Sequence, residues 1–349
     1  MENKFFDVYN QFKGKGEKYD FIVPFTGGKD SSYVLYYMAK KLNARVLALT
    51  WDNGLIREKS WENIYRITRN LNVDLHIVKW DHVKLRKLFH ATFKRFNKVC
   101  YCPFFVFLAS SEVAITKKIP AIITGFSEGQ REMNHSFSLA SQEIEKERFF
   151  QTTSLWETFF GIALKVYDDE SISKEILNEF FEKINHIKNN LPEDIMYPHF
   201  LPLSNYVRWT SFAGLEQTLK EIGWQNPAKT VSHSSCMIEP IKGYIESKHN
   251  LNELRAEISY MIRCGGITRD MGIEELEKMS FNTNKPPENL NMFCNFIFID
   301  ENQFLKYLTA EKTEYPTPEL QQKAEQLKKG MVNSISWIMG VSQHKAKFY

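Results

Sequence analysis

Cysteine is scarce in this chain, and neither sign of charge dominates. Its 349 residues include five cysteines, Cys100, Cys102, Cys236, Cys264 and Cys294, too few and too scattered for a disulfide scaffold. No C-x-x-C pair and no H-x-x-x-H spacing occurs, so a structural zinc site is not expected. The formal net charge is +3, without the strong basic excess that marks nucleic-acid binders. One basic stretch, KLRKLFHATFKRFNK, reads equally as a solvated helix face and as a surface for a polyanion. No apolar run reaches the roughly 18 residues of a membrane span. The opening stretch MENKFFDVYNQFKGKGEKYD is too polar for a secretory signal, and a cytoplasmic location is expected. Internal repeats and low-complexity tracts are missing as well. What remains, 43% hydrophobic and 25% charged, is enough for a full core in one large or two ordinary domains.

Short apolar runs alternate with helix-period segments over the first half. Residues 20–25, 44–52, 73–80 and 120–126 read as strands, and 31–41, 57–72, 82–96 and 106–119 as the helices between them. Residues 199–204 are expected to return as a fifth strand, with a helix over 213–224. Such alternation predicts an α/β fold, a doubly wound parallel sheet of Rossmann-like type whose ligand sits at the carboxyl ends of the strands. A charged and aromatic segment, about 142–196, reads as a helical insertion. From 241 onward the pattern is helical, over 241–266, 268–280 and 318–340, broken by the turns NKPPENL and YPTPEL. The expected organisation is an α/β domain over 1–240 and a helical region over 241–349.

The junction of the first strand and first helix, YDFIVPFTGGKDSSYVLYYMAKK, concentrates unusual residues. A glycine-rich turn ahead of a helix N-terminus makes an anion site, because backbone amides converge there and the helix dipole adds partial positive charge. Gly27 and Gly28 permit positive φ and close approach of a phosphate, Ser31 and Ser32 offer hydroxyl donors, and Lys29 adds charge. The spacing matches neither G-x-x-x-x-G-K-[ST] nor G-x-G-x-x-G.

The longer stretch PFTGGKDSSY resembles the Ser-Gly-Gly-x-Asp-Ser loop of the PP-loop, or N-type ATP pyrophosphatase, superfamily, with Thr26 in place of the first serine. Members split ATP between its α and β phosphates and adenylate an oxygen of a second substrate. The resemblance implies that Thr26, Gly27, Gly28, Asp30 and Ser31 hold the pyrophosphate end of ATP, with Mg²⁺ beside Asp30. Lys29 falls at the family's variable position. LALTWDNGL resembles the second strand of these proteins, which puts Thr50, Trp51 and Asp52 near the adenine. IITGFSEGQ resembles the later strand-end motif, with Gly125 and Glu128 as nucleotide contacts. Together with TWDNGLIREKSWENIYRI and MIRCGGITRDMGIEELE, the loop is similar to the N-acetyl sugar amidotransferase branch. That branch carries cysteine pairs ahead of the loop; here 25 residues without a cysteine precede Thr26.

Cysteines also occur in thiolating members of the superfamily, where they carry sulfur as a persulfide or ligate an iron–sulfur cluster. By that resemblance Cys100 and Cys102, in NKVCYCPFF, are candidates for sulfur transfer, and Cys236, in VSHSSCMIEP, for a resolving thiol or a third cluster ligand. Each reads equally as a buried core residue, the usual fate of free cysteine. His233 is a candidate base, Arg263 and Arg269 a candidate phosphate clamp, and Arg131 and His135 a candidate cap over the site.

Two enzymatic expectations follow. The leading one is an ATP-dependent sulfurtransferase acting on a carbonyl of a purine nucleotide or similar small molecule, fed by a sulfur-donor protein such as a cysteine desulfurase. A persulfide attacks the adenylated carbon and expels AMP. The alternative keeps the adenylation but uses ammonia on an N-acetyl sugar, supplied by a separate glutaminase. Transfer-RNA base thiolation is a further alternative, set behind a small molecule because the charge is modest. A nucleotide-binding sensor without catalysis is the non-enzymatic reading, and the apolar stretch VNSISWIMG would suit a homodimer.

Overall fold

The computed structural model describes residues 2–100, 102–125, 179, 198–207, 212–228, 235–249, 254–263, 265–278 and 285–311. The expected insertion over 142–196, apart from Glu179, and the expected helix over 318–340 lie outside the described residues. So do Glu128, Arg131, His135, His233 and Cys264.

Five strands, β1 (Phe21–Pro24), β2 (Val46–Asp52), β3 (Asp74–Lys79), β4 (Ala121–Thr124) and β5 (His199–Pro202), form one sheet in the order β3-β2-β1-β4-β5. Every pairing is parallel. Phe21 stands beside Val46 on one side and Ala121 on the other, so the three central strands start level. β2 is buried along its whole length, as a parallel strand covered on both faces must be.

Alternation along the strands sorts the helices onto two faces. Phe21, Val23, Val46, Ala48, Ala121, Ile123 and Leu201 pack with α1 (Glu2–Phe12), α2 (Lys29–Tyr36), α3 (Glu58–Asn70) and α6 (Phe212–Lys220). Ile22, Leu47, Leu49, Trp51, Ile122 and Phe200 pack with α4 (His82–Phe96), α5 (Cys102–Thr116), α7 (Glu239–Lys248), α10 (Leu290–Phe296) and α11 (Glu301–Thr309). The helices α7, α10 and α11 therefore share the core of the α/β layer: Phe93 of α4 stacks on Phe304 of α11 at 4.5 Å between ring centroids. The doubly wound architecture expected from the sequence is present.

Three local differences have physical causes. The expected single helix over 241–266 is two, α7 and α8 (Leu254–Arg263), because His249 leaves the helical conformation at φ −103°, ψ 13°. α2 runs on into one π-helical turn, Tyr37–Lys41. The helix expected over 106–119 begins earlier, at Cys102, which places that thiol in the first turn of α5. A further helix, α9 (Arg269–Lys278), packs on α8.

Candidate functional site

β1 and β4 are neighbours whose chain continuations depart in opposite directions, β1 toward β2 and β3, β4 toward β5. That reversal opens a crevice at the carboxyl ends of the strands. Residues 25–28 run from β1 into α2 at this crevice. Gly27 has φ +71°, and an added Cβ would lie 2.3 Å from the Ser60 carbonyl oxygen, so the turn admits no side chain there. Its own carbonyl is held away from the crevice, accepting from Asn63 Nδ2 at 3.0 Å and from Trp224 Nε1 at 3.1 Å. Among the described residues no acceptor takes the amides of Gly27 or Gly28. Gly28 begins α2 with no side chain to cap it.

The hydroxyls tighten this turn. Ser31 Oγ accepts from the Thr26 amide at 3.2 Å, donates to the Gly28 carbonyl at 3.3 Å and lies 3.2 Å from Thr26 Oγ1. Ser32 is fully buried, with no hydrogen-bond partner for its Oγ among the described residues. Lys29 is buried along its stem and places Nζ 2.7 Å from Asp30 Oδ1, while the Asp30 side chain is 40% exposed. Gly125, at the end of β4, lies against the first turn of α2: a Cβ there would sit 3.5 Å from Asp30 Cβ. The sequence-separated residues Thr26, Gly27, Gly28, Asp30, Ser31 and Gly125 are thus gathered in one place.

The end of β2 is placed differently. Thr50 donates to the Phe25 carbonyl at 2.7 Å and so fixes the exit of β1. Trp51 is 3% exposed, its indole stacked on Phe105 and edge-on to Trp80. Asp52 accepts from the Gly54 amide at 3.0 Å and pairs with Lys79 at 3.2 Å.

A two-stranded contact covers the loop. Ile56 and Cys236 form an antiparallel bridge, flanked by bonds from the Arg57 amide to the Ser235 carbonyl (2.9 Å) and from the Met237 amide to the Leu55 carbonyl (2.8 Å). The Ser235 side chain lies against Gly28, with Cβ 3.4 Å and Oγ 3.5 Å from a Cβ built there, beside Thr26 Oγ1 at 3.4 Å. Sequence periodicity carries no sign of this pairing, since each segment is only three residues long.

The same contact brings the thiols together. The Asn53 amide, 4% exposed, donates to Cys102 Sγ at 3.1 Å and to Cys236 Sγ at 3.6 Å. Its Oδ1 accepts from the Leu55 amide at 2.8 Å, which fixes the amide's orientation. Cys100, Cys102 and Cys236 are not joined in disulfides, and each is half-buried. A hydrogen bond from Cys102 pulls the Cys100 thiol down to about 6, helped by Lys242 and Lys98 and opposed by burial. Donating that bond, together with burial, pushes Cys102 well up, and burial raises Cys236 to about 11. Of the three sulfurs, Cys100 is therefore the one drawn toward the thiolate. Among the described residues no group of three or more His, Cys, Asp or Glu side chains is arranged to hold a metal ion.

Asn53, Asn63, Trp224, Arg57 and Ser235 were not singled out from sequence. Only Asn53 had a usable signal, an Asn-Gly pair directly after a buried strand. Arg263 closes α8 and Arg269 opens α9. No helix among the described residues is long and apolar enough to cross a membrane.

Comparison with known proteins gives two findings. Residues 230–328 match the family described as LPS biosynthesis protein WbpG-like, C-terminal domain. An uncharacterized protein of Methanocaldococcus jannaschii, MJ1599, is 30% identical over 100 residues, covering 29% of this chain. The matched stretch covers 35% of that archaeal protein, about a third of its length.

Proposed function

We propose that this chain is an ATP-dependent, AMP- and pyrophosphate-forming enzyme of surface-polysaccharide precursor synthesis, which replaces the carbonyl oxygen of an N-acylated sugar by nitrogen. One observation carries the reading. The segment that lies on Gly28, Ser235 to Met237, falls inside the stretch that matches the lipopolysaccharide-biosynthesis family. The part of the chain with a sugar-biosynthetic likeness is thus the part that closes the glycine loop.

The loop suits the pyrophosphate end of ATP. Its uncapped helix start and the amides of Gly27 and Gly28 present donors, while Thr26 and Ser31 keep the turn tight. Asp30 gives one carboxylate oxygen to Lys29 and keeps the other for the divalent cation that accompanies a triphosphate. The acyl oxygen attacks the α phosphorus and pyrophosphate leaves. Ammonia then adds to the activated carbon, loses a proton, and AMP departs with the original oxygen. A glutaminase partner is the fitting source of ammonia.

Sulfur transfer is the second reading, favoured by the lowered Cys100 thiol beside two further thiols under the same cover. One experiment decides between them. The chain is incubated with ATP, Mg²⁺, N-acetylated nucleotide sugars and either ammonium or a persulfide donor, and products are read by mass spectrometry. Exchange of oxygen for NH lowers the product mass by about 1 Da, while exchange for sulfur raises it by about 16 Da. AMP and pyrophosphate are expected in both cases. ADP with orthophosphate as the only nucleotide products overturns both readings.

A further inference from the structure

The guanidinium of Arg57 has no place in the chemistry above. In the antiparallel contact Ile56 stands opposite Cys236, so Arg57 stands opposite Ser235, joined to it by the backbone bond at 2.9 Å. Residues directly opposite in an antiparallel pair project their side chains to the same face. Ser235 projects onto Gly28, and Arg57 therefore leaves the contact on the face that meets the glycine loop.

The environment of Arg57 is under-supplied with negative charge. Its side chain is 22% exposed, and its Nε is enclosed with no acceptor among the described residues. Its ion-pair partner, Glu239 at the start of α7, stands off at 4.0 Å. An enclosed guanidinium N–H without an acceptor carries a desolvation cost that a bound anion would remove. The planar fork of arginine matches two oxygens of a phosphoryl group.

We infer that Arg57 is an oxyanion receptor facing the glycine loop, taking a phosphoryl group of the bound ligand from the side opposite the loop amides. The inference rests on the reading of that loop as a phosphate site. The phosphoryl group belongs either to the pyrophosphate end of the nucleotide or to the phosphate of a nucleotide-linked sugar, and both present the same paired oxygens.

Titration calorimetry with inorganic pyrophosphate and, separately, with UDP, each in Mg²⁺, compares the unaltered chain with Arg57→Gln, Arg57→Lys, Glu239→Gln and Gly28→Ala. Arg57→Gln is expected to weaken one probe by about 10- to 100-fold, as loss of a charge-assisted bond does. Arg57→Lys weakens it by less, because charge survives without the fork. Glu239→Gln binds at least as tightly, since a competing carboxylate is gone. A defect confined to pyrophosphate places Arg57 on the leaving group; one confined to UDP places it on the sugar substrate. Should Arg57→Gln not fold, Arg57→Lys decides. Binding of both probes unchanged in the Arg57 variants overturns the inference while the loop reading stands. Pyrophosphate binding unchanged in Gly28→Ala overturns the loop reading instead, and no binding to the unaltered chain removes both.

Discussion

Two adjacent glycines in the loop are needed for different reasons, and alanine separates them. At Gly27 the backbone sits at φ +71°, and a methyl would meet the Ser60 carbonyl oxygen at 2.3 Å and Ile64 Cγ1 at 3.1 Å. A left-handed non-glycine residue costs roughly 1–2 kcal/mol, and forcing a packed neighbour aside adds about 1–3 kcal/mol. Ser60 belongs to α3, so its carbonyl cannot move without disturbing the helix. Gly27→Ala should therefore cost about 2–5 kcal/mol, a fall in melting temperature on the order of 10 °C. Gly28 is at φ −78°, ordinary for any residue, and its built Cβ meets only side-chain atoms of Ser235 and Thr26 at 3.4–3.5 Å. Gly28→Ala should cost about 1 kcal/mol or less, the price of a poorer helix start. Under the proposed function the methyl stands where a phosphate would approach the α2 amides, so pyrophosphate release should fall on the order of 10²-fold. Thermal melts followed by circular dichroism, beside pyrophosphate release in a single turnover, read both effects. If Gly28→Ala melts as low as Gly27→Ala, or turns over normally, the separation of structural from ligand-driven glycine is refuted.

Further outcomes follow from the same geometry. Thr50→Val keeps the shape of the side chain but strands the Phe25 carbonyl, and urea unfolding should show a loss of about 1–2 kcal/mol. Cys100 should alkylate with iodoacetamide at a rate that rises through about pH 6, because its thiolate forms there. Cys102→Ala removes the donor and shifts that rise to higher pH, as read by peptide mass spectrometry; an unchanged profile would refute the hydrogen-bond account. Asp20 loses solvation by burial, yet Arg45 and the amides of Gly14 and Gly16 outweigh that and lower its pKa. Its contribution is complete above the ordinary carboxylate range and is lost as pH falls through the lower folded value. Asp20→Asn should therefore flatten the acid limb of stability below about pH 4 in urea titrations at graded pH.

The sheet was legible because β1, β2 and β4 are short, continuous apolar runs, buried almost throughout, and all five strands, the half-exposed edge strand β3 included, fall within the ranges their composition marks. The loop was legible because glycines and hydroxyls at a strand–helix junction have few structural uses. α1 was missed although Phe5, Tyr9 and Phe12 recur at helical spacing and are buried, Tyr9 stacking on Phe21 at 5.3 Å. Its charged, polar remainder masked the stripe. α10 and α11 were missed for another reason: each is nine residues or fewer, too short for periodicity to register. The cover over the loop was out of reach altogether. Three-residue pairings have no periodic signal, and what selects Asn53, Arg57 and Ser235 is distant backbone brought alongside, which no local pattern encodes.

That cover has a consequence for the order in which the protein becomes competent during synthesis. Asn53 and Cys236 meet across 183 positions of sequence. At translation rates of about 5–20 residues per second, roughly 10–40 s separate the emergence of the two segments. Contacts of such long range form late in any case, since closing the intervening chain carries an entropic cost. Throughout that interval the glycine loop exists without Ser235 on Gly28 and without Cys236 beside Asn53. A nascent or truncated chain thus holds a glycine loop that lacks one wall, and the site closes as a single late event, coupled to the arrival of the segment around Cys236.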